Sequence, residues 1–505
     1  MTERRWLVSV IVLLALILIS REFDYTLPMK ASEAGTPPNI ISGYSGNNVH
    51  EGVVGGAISG GGNRGFPNVV TADFGTISGG LGNEAAAQAV VGGGYNNTTT
   101  AYRATIGGGF ANLAIGGSST IGGGERNSAN LAYTTVSGGS FNTANGLSAT
   151  VGGGTANIAD GPQSTVGGGT QNAANGFEST VSGGTRNTAT NAYAAIGGGL
   201  NNQAIGRRSA IAGGAGNIAA GEDVAIGGGL SNQATDRYST VAGGRANRAG
   251  NGNDTMEDAR YATVGGGQDN VAAGLGATVG GGQENVAGGD FAGIAAGSEN
   301  IAAGDYSFAV GRRAQIDAGH DGALLLADAT DADFVSEAAN EFAVRATGGV
   351  RLITAVADNG RPLAGVQLAE GSGSWQTLSD RHAKANIVPV NELEILTLLM
   401  GVPISTWNYQ TQDAGIRHIG PMAQDFYAAF GVGEDERYLT AVDTDGVALA
   451  AIQGLYGLIQ SQETQITGQQ QQIEQLAADN ATLTERVSAL EARLLALEQS
   501  LSEIR

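Results

Sequence analysis

The sequence predicts a mainly β protein: a parallel β-solenoid of fifteen-residue repeats, then a small α+β domain, then a C-terminal α-helical coiled coil. Three observations carry this. Glycine supplies 84 of 505 residues, while charged residues are only 14%. A Val/Ile-Gly motif returns every fifteen residues through the middle of the chain. From Ile452 onward, apolar residues fall on heptad a and d positions. Disorder driven by charge is excluded, because 41% of the residues are apolar and can fill a core. Nine prolines without a Gly-X-Y period exclude collagen. The absence of cysteine removes disulfide scaffolds, iron–sulfur clusters and cysteine zinc sites. A net charge of −21 argues against a phosphate-binding surface, so no nucleic-acid partner is expected.

Residues 1–22 read as an export segment. Arg4 and Arg5 precede an apolar run from Trp6 to Ile19, the order of a Sec-type signal. The run is shorter than the ~18–20 residues of a comfortable membrane span. Ser20, Arg21 and Glu22 follow in place of a small-x-small cleavage site, so an uncleaved membrane anchor stands beside the cleaved signal. Both readings export the chain, to the cell surface or the extracellular space, and both suit a chain without thiols.

Residues 40–315 form the repeat region. Starts at Val91, Ile106, Ile121, Val136, Val151, Val166, Val181, Ile196, Ile211, Ile226 and Val241 are all fifteen apart. An eight-residue insertion containing Asp254, Glu257 and Asp258 delays the next start to Val264, and Val279 and Ile294 resume the period. An asparagine stands six residues after each of these fourteen starts, from Asn97 to Asn300. Such a period implies stacked coils of short strands and tight turns. Glycines supply positive φ and close backbone approach. The asparagine suits a left-handed corner, and stacked copies can share a hydrogen-bond ladder. Fifteen or so coils at ~4.8 Å make a rod of roughly 70 Å. The thin core of each coil leads to the expectation that several chains supply the interior together.

Other glycine-rich readings fail. No Gly-Lys-Ser/Thr follows a glycine run, which excludes a phosphate loop. A dinucleotide fingerprint needs one glycine-rich turn, not fourteen. Calcium-binding β-rolls repeat every nine residues with Asp. Thr150, Thr165, Thr180 and Thr240 could build a flat ice- or glycan-binding array, but solvated strands carry Thr for β-propensity alone. The acidic insertion offers no positioned carboxylate pair for glycan hydrolysis. His50, His320, His382 and His418 lack metal-ligand spacing, and no metal or cofactor is expected.

The repeats, with the strand-like segment Asp305–Gly311, resemble the head of trimeric autotransporter adhesins, the YadA-like left-handed parallel β-roll. The resemblance covers about residues 50–315 and implies a left-handed roll, a homotrimer, and a host, matrix or glycan ligand for the head. The chain ends in a helix instead of barrel strands, so self-transport through an outer membrane is not expected.

Residues 316–377 lose the period, and Glu341–Ala346 and Gly349–Ile353 alternate like strands, so this stretch reads as a β neck. Residues 378–455 change character. Leu378-Ser379-Asp380-Arg381-His382-Ala383-Lys384 opens the stretch, a helix-like run covers Leu393–Met400, and Trp407-Asn408-Tyr409 follows. His418–Phe426 contains Gly-Pro-Met-Ala-Gln-Asp, and Asp443–Ala450 leads into a helix. Together these resemble the peptidase S74 family, the intramolecular chaperone at the C-terminus of phage endosialidase tailspikes. The resemblance implies that Ser379 is a nucleophile, Lys384 its general base and Leu378–Ser379 the bond cut after trimer assembly. Ala385 stands where family members often carry Glu. A serine hydroxyl needs a base, and lysine serves only if burial lowers its pKa. Five residues on a helix lie about 140° apart, so the pair needs a turn, or a lysine from a neighbouring chain. Spacing alone favours a blander reading, with Ser379 as a helix cap, Asp380 in the first turn and Lys384 on a solvated face; it is the resemblance that favours the dyad. His382 reads as a surface histidine or as a residue tuning the site.

Residues 452–505 are the coiled coil. The a positions run Ile452, Ile459, Ile466, Ile473, Asn480, Val487, Leu494 and Leu501; the d positions run Leu455, Gln462, Gln469, Leu476, Leu483, Leu490, Leu497 and Ile504. At 1.5 Å per residue the stalk is about 80 Å long. Ile at a with Leu at d leans towards dimers. The two resemblances imply trimers, and the three polar layers blur the rule. The reading that unites these parts is an exported homotrimeric fibre whose S74 domain directs assembly and then cuts itself off, a serine peptidase acting once. The alternative is a surface-anchored adhesin whose C-terminal domain only trimerises. A phage-type tail fibre is disfavoured by the export segment.

Overall fold

The computed structural model describes residues 35–253 and 255–504. The export segment, residues 1–22, lies outside them. Among the described residues, no helix is long and apolar enough to cross a membrane. The chain divides into two compact units, with the boundary between Thr347 and Gly348.

The first unit is a parallel β-solenoid. Two-residue strands stack in register, each pairing with its equivalents one coil before and after. Thr150-Val151 lies between Thr135-Val136 and Thr165-Val166. One ladder of twenty strands runs from Ile40–Ile41 to Phe342–Arg345, and a second from Asn48–Val49 to Phe334–Val335. A third row of single parallel bridges links Leu81 to Ser298. Twenty coils at ~4.8 Å give a rod of about 95 Å. The solenoid is therefore longer than the repeat motif that announces it. The stretch read as a β neck is divided. Leu324–Ala327 and Phe342–Arg345 continue the parallel ladder, while Val350 onward belongs to the second unit.

Each coil closes on itself. Val151, Val166, Val181 and Ile196 face inward with the small residues Ala159, Ala174 and Ala189, all essentially free of solvent contact. From Ala86 to Leu325 the interior is a continuous apolar column within a single chain, and a second cluster, Ile58, Val70, Ile77, Ala85 and Val91, fills the first coils. This corrects the expectation that several chains share the interior: the coil is narrow enough for one Val or Ile and a few small side chains to fill it. Aromatic rings are too wide for that column and stack outside, as Tyr95 on Phe110 at 5.5 Å and Phe291 on Tyr306 at 5.3 Å.

The asparagines are buried rungs. Asn157 donates its backbone N–H to Asn142 Oδ1 at 3.0 Å and its Nδ2 to the carbonyls of Gly153 and Gly169, at 2.8 and 2.9 Å. The ladder matches expectation; the left-handed corner does not. The residue before each asparagine takes positive φ, as in Arg126, Phe141, Ala156 and Gln171. A second such corner holds Tyr133, Ser148 and Gln163. Non-glycine residues rarely adopt this region, and here the pairing on both sides holds them in it. Glycine is obligatory beside the rung: Gly154 has φ +86°, and a Cβ there would sit 2.1 Å from the carbonyl oxygen of Gly169.

The eight-residue insertion loops out without breaking either ladder, since Thr240 still pairs Thr263 and Arg248 pairs Val271. Arg237 and Arg260 tether the loop through Glu257.

The second unit opens with an antiparallel sheet of Val350–Val356, Pro362–Leu368 and Gln376–Thr377. A short helix, Glu392–Leu399, is capped by the Asn391 side chain on the Glu394 N–H. Ser405–Trp407 pairs His418–Gly420, and the helix Ala423–Phe430 follows. Trp407 packs against Tyr409 and His418 at 5.0 and 4.8 Å. The terminal helix spans Ala441–Ser502, starting eleven residues before the predicted heptads, with Thr440 accepting from the Asp443 N–H at its start. Its first turns bury Val447, Ala450, Ala451 and Gly454 against the short helix. Gly454 is required there, because a Cβ would lie 2.4 Å from the Glu392 carbonyl oxygen.

Candidate active site

Ser379 stands two residues after the last strand of the antiparallel sheet, with Leu378 between them. Gln376 and Thr377 pair with Gln367 and Val366, and the Leu378 N–H donates to the Gly365 carbonyl at 3.0 Å. The Leu378–Ser379 bond thus lies where regular pairing ends. A groove of about 240 Å³ lies beside it, lined by Arg351, Ile353, Pro362, Gln376, Leu378 and Ser379 among others.

Past Ser379 the chain turns sharply. Asp380 caps a single 3-10 turn, Arg381–Ala383, its carboxylate accepting from the His382 N–H at 2.9 Å. The turn reverses the chain within four residues and brings Lys384 back, so that Nζ donates to Ser379 Oγ at 2.6 Å. Both residues belong to one chain. Of the two ways to close a five-residue spacing, a turn or a lysine from a neighbour, the turn is what this chain forms. The capping residue is Asp380, and Ser379 is left facing Lys384. That differs from the reading in which Ser379 caps a helix: the turn begins one residue later.

Charge around the turn is arranged on Asp380. His382 Nδ1 lies 3.1 Å from Asp380 Oδ1, and Arg361 Nη1 lies 3.5 Å from Oδ2. The His382 backbone N–H, then its ring, then Arg361 hold the Asp380 carboxyl below its ordinary value. The His382 side chain is 80% exposed; its bonds run to Asp380, so it belongs to the turn. Ser379 and Lys384 are exposed in the single chain. The burial expected around the lysine is not provided by one chain, because little else of the second unit packs over it. Sequence reasoning passed over Arg361, and it placed Asp380 in the first turn instead of giving it the capping role. The Asn359-Gly360-Arg361-Pro362 turn signal between alternating runs was available to find the former.

Among the described residues, no group of three or more His, Cys, Asp or Glu is placed to hold a metal ion.

Residues 379–432 match the peptidase S74 family, described as the chaperone of endosialidase. The S74 match begins on Ser379 itself, and it covers the turn, the short helix, the two-stranded sheet and the helix Ala423–Phe430. No curated protein matches the chain.

Proposed function

We propose that the chain is an exported homotrimeric fibre whose C-terminal S74 domain aligns three chains and then severs itself at Leu378–Ser379. The observation that carries the reading is the 2.6 Å contact between Lys384 Nζ and Ser379 Oγ at the first residue of the S74 match.

The nucleophile adjoins the bond it cuts. With Lys384 as neutral amine, Nζ takes the Ser379 hydroxyl proton and Oγ attacks the Leu378 carbonyl carbon through a five-membered ring. The Leu378–Ser379 C–N bond then breaks, the proton passes from Lys384 to the leaving α-amino group of Ser379, and an ester joins Leu378 to Oγ. Water, deprotonated by the same lysine, attacks the ester; the C–O bond breaks and Oγ regains a proton. The products are a Leu378 carboxylate and a Ser379 N-terminus. Serine activation and proton shuttling of this kind need a base matched to the operating pH. An exposed lysine is a poor base, and covering it lowers its pKa. Assembly is the natural way to cover it, so cleavage reports that three chains have come together.

Burial supports assembly. In the second unit the buried apolar side chains are Val402, Phe426, Val447, Ala450 and Ala451, while Val388, Met400, Ile419 and most a and d residues of the terminal helix face solvent. So thin a core does not stabilise a unit of this size alone; packing against two further copies supplies the rest. Removing the domain after registration leaves the fibre kinetically trapped. The likeness of the repeats to trimeric adhesin heads, and the apolar run at Trp6–Ile19, support a surface fibre that meets a host, matrix or glycan ligand.

The test uses Ser379→Ala and Lys384→Met. Both are expected to accumulate as full-length trimers by light scattering, with wild type processed. Processing of either variant at the wild-type rate would remove the dyad. Uncleaved wild-type trimers would leave an adhesin with a permanent trimerisation domain.

A further inference from the structure

The sheet before the candidate bond and the turn after it are joined by one charged side chain. Arg361 closes the loop between Val350–Val356 and Pro362–Leu368. Its backbone is fixed there: the Arg361 N–H donates to Asn359 Oδ1 at 3.0 Å, and its carbonyl accepts from the Ala357 N–H at 2.8 Å. From that anchor the guanidinium forks. Nη1 lies 3.5 Å from Asp380 Oδ2, and Nη2 donates to the His382 carbonyl at 3.3 Å. Both contacts fall on the 3-10 turn that returns Lys384 to Ser379.

We infer that Arg361 is a positioning residue for the Ser379–Lys384 pair, acting through Asp380 and the His382 carbonyl to fix the turn. The inference rests on the self-cleavage reading. Arg361 stands outside the S74 match, on the opposite side of the bond from the dyad. Magnitudes separate its role from a structural one. The Arg361 and Asp380 side chains are 44% and 42% exposed, and surface pairs of this kind add little to stability. A displacement of about 1 Å at a reacting group, in contrast, costs up to ~100-fold in rate. The guanidinium therefore matters for where Lys384 points, not for whether the unit folds. Lysine is not equivalent, because a single ammonium cannot meet the carboxylate and the carbonyl in the same forked geometry.

The experiment follows cleavage of the full chain after cell-free synthesis, with trimer content measured by cross-linking at each time. Arg361→Ala is expected to assemble normally and to cleave about tenfold more slowly, with millimolar guanidinium ion restoring part of the rate. Arg361→Lys is expected to fall between Ala and wild type. Cleavage of Arg361→Ala at the wild-type rate would overturn the inference. So would slow cleavage that tracks lost trimer and does not respond to guanidinium, since that marks a purely structural role. An uncleaved wild type would overturn the self-cleavage reading itself, and the inference with it.

Discussion

Asn157 ties its coil to both neighbours. Five hydrogen bonds meet at it: one each at its backbone N–H and carbonyl, and three at its side chain, the last from the Asn172 N–H to its Oδ1. Asn157→Ala would leave the buried Asn172 N–H and the partly buried Gly153 carbonyl unmet, while the Gly169 carbonyl keeps its bond from the Thr155 N–H, at a cost on the order of 2–4 kcal/mol. The damage should stay local, because a solenoid coil contacts only its neighbours. Hydrogen exchange is expected to speed up across coils 142–172 and to remain unchanged near Asn270; loss of protection along the whole rod would contradict the rung role. Asp328 gives a pH prediction. Its carboxylate accepts from the Thr347 N–H and hydroxyl, both at 2.7 Å, and from Arg345 Nε at 3.0 Å. The Thr347 backbone bond is the main reason its pKa lies below the ordinary value. A carboxyl depressed in the fold contributes stability above its unfolded pKa of about 3.9 and loses it as pH falls through the folded value. Exchange at Thr347, corrected for intrinsic rate, is expected to hold steady from neutral pH to about 4 and to rise below. In Asp328→Asn that acid limb should vanish, and its persistence would place the titrating group elsewhere. At this scale the sequence was partly legible. The asparagine period announced the ladder, but the left-handed corner fell one residue earlier, on residues as varied as Arg126 and Phe141. No composition signal marks such a site, because neighbouring coils impose it. The Ser379–Lys384 contact could be named through resemblance and not through spacing: five residues close only if Asp380 caps a turn.

Two glycines show what holds the elements together. Gly154 permits coil-to-coil contact, and Gly454 lets the terminal helix meet the Glu392 carbonyl. Gly454→Leu is expected to push the short helix off its partner and lower the melting temperature of the second unit by several degrees, with the melting of the solenoid unchanged. Unchanged melting in the second unit would show that this contact is dispensable. The elements were legible where a period persists. Repeat starts located the strands at each Val or Ile, and the heptads located the terminal helix. Legibility failed at the ends. The first coils still carry the Gly-Asn signature, with Asn47, Asn68 and Asn83 as buried rungs, but the last coils keep the backbone pairing without it, so the solenoid extends to Arg345 while the motif fades earlier. The helix begins at Ala441 because Thr440 caps it, upstream of any heptad.

The whole molecule combines two units of opposite character. The solenoid carries a complete apolar column inside one chain, whereas the second unit leaves most of its apolar side chains in solvent. A self-sufficient rod followed in the chain by an incomplete C-terminal unit fits the proposal that the latter works as an assembly device and is then discarded. Parallel coils carry little that fixes alignment between chains, so a separate registering domain is useful during folding and dispensable afterwards. The division was legible in composition, where glycine falls away after the repeats. The openness of the second unit was not, because apolar content does not reveal which apolar side chains the fold leaves in solvent. The most direct measurement is the intact mass of the purified wild-type chain. The account requires a C-terminal fragment beginning at Ser379 and ending at Arg505, together with an N-terminal product ending at Leu378. A full-length wild-type chain recovered from a correctly assembled trimer would contradict it.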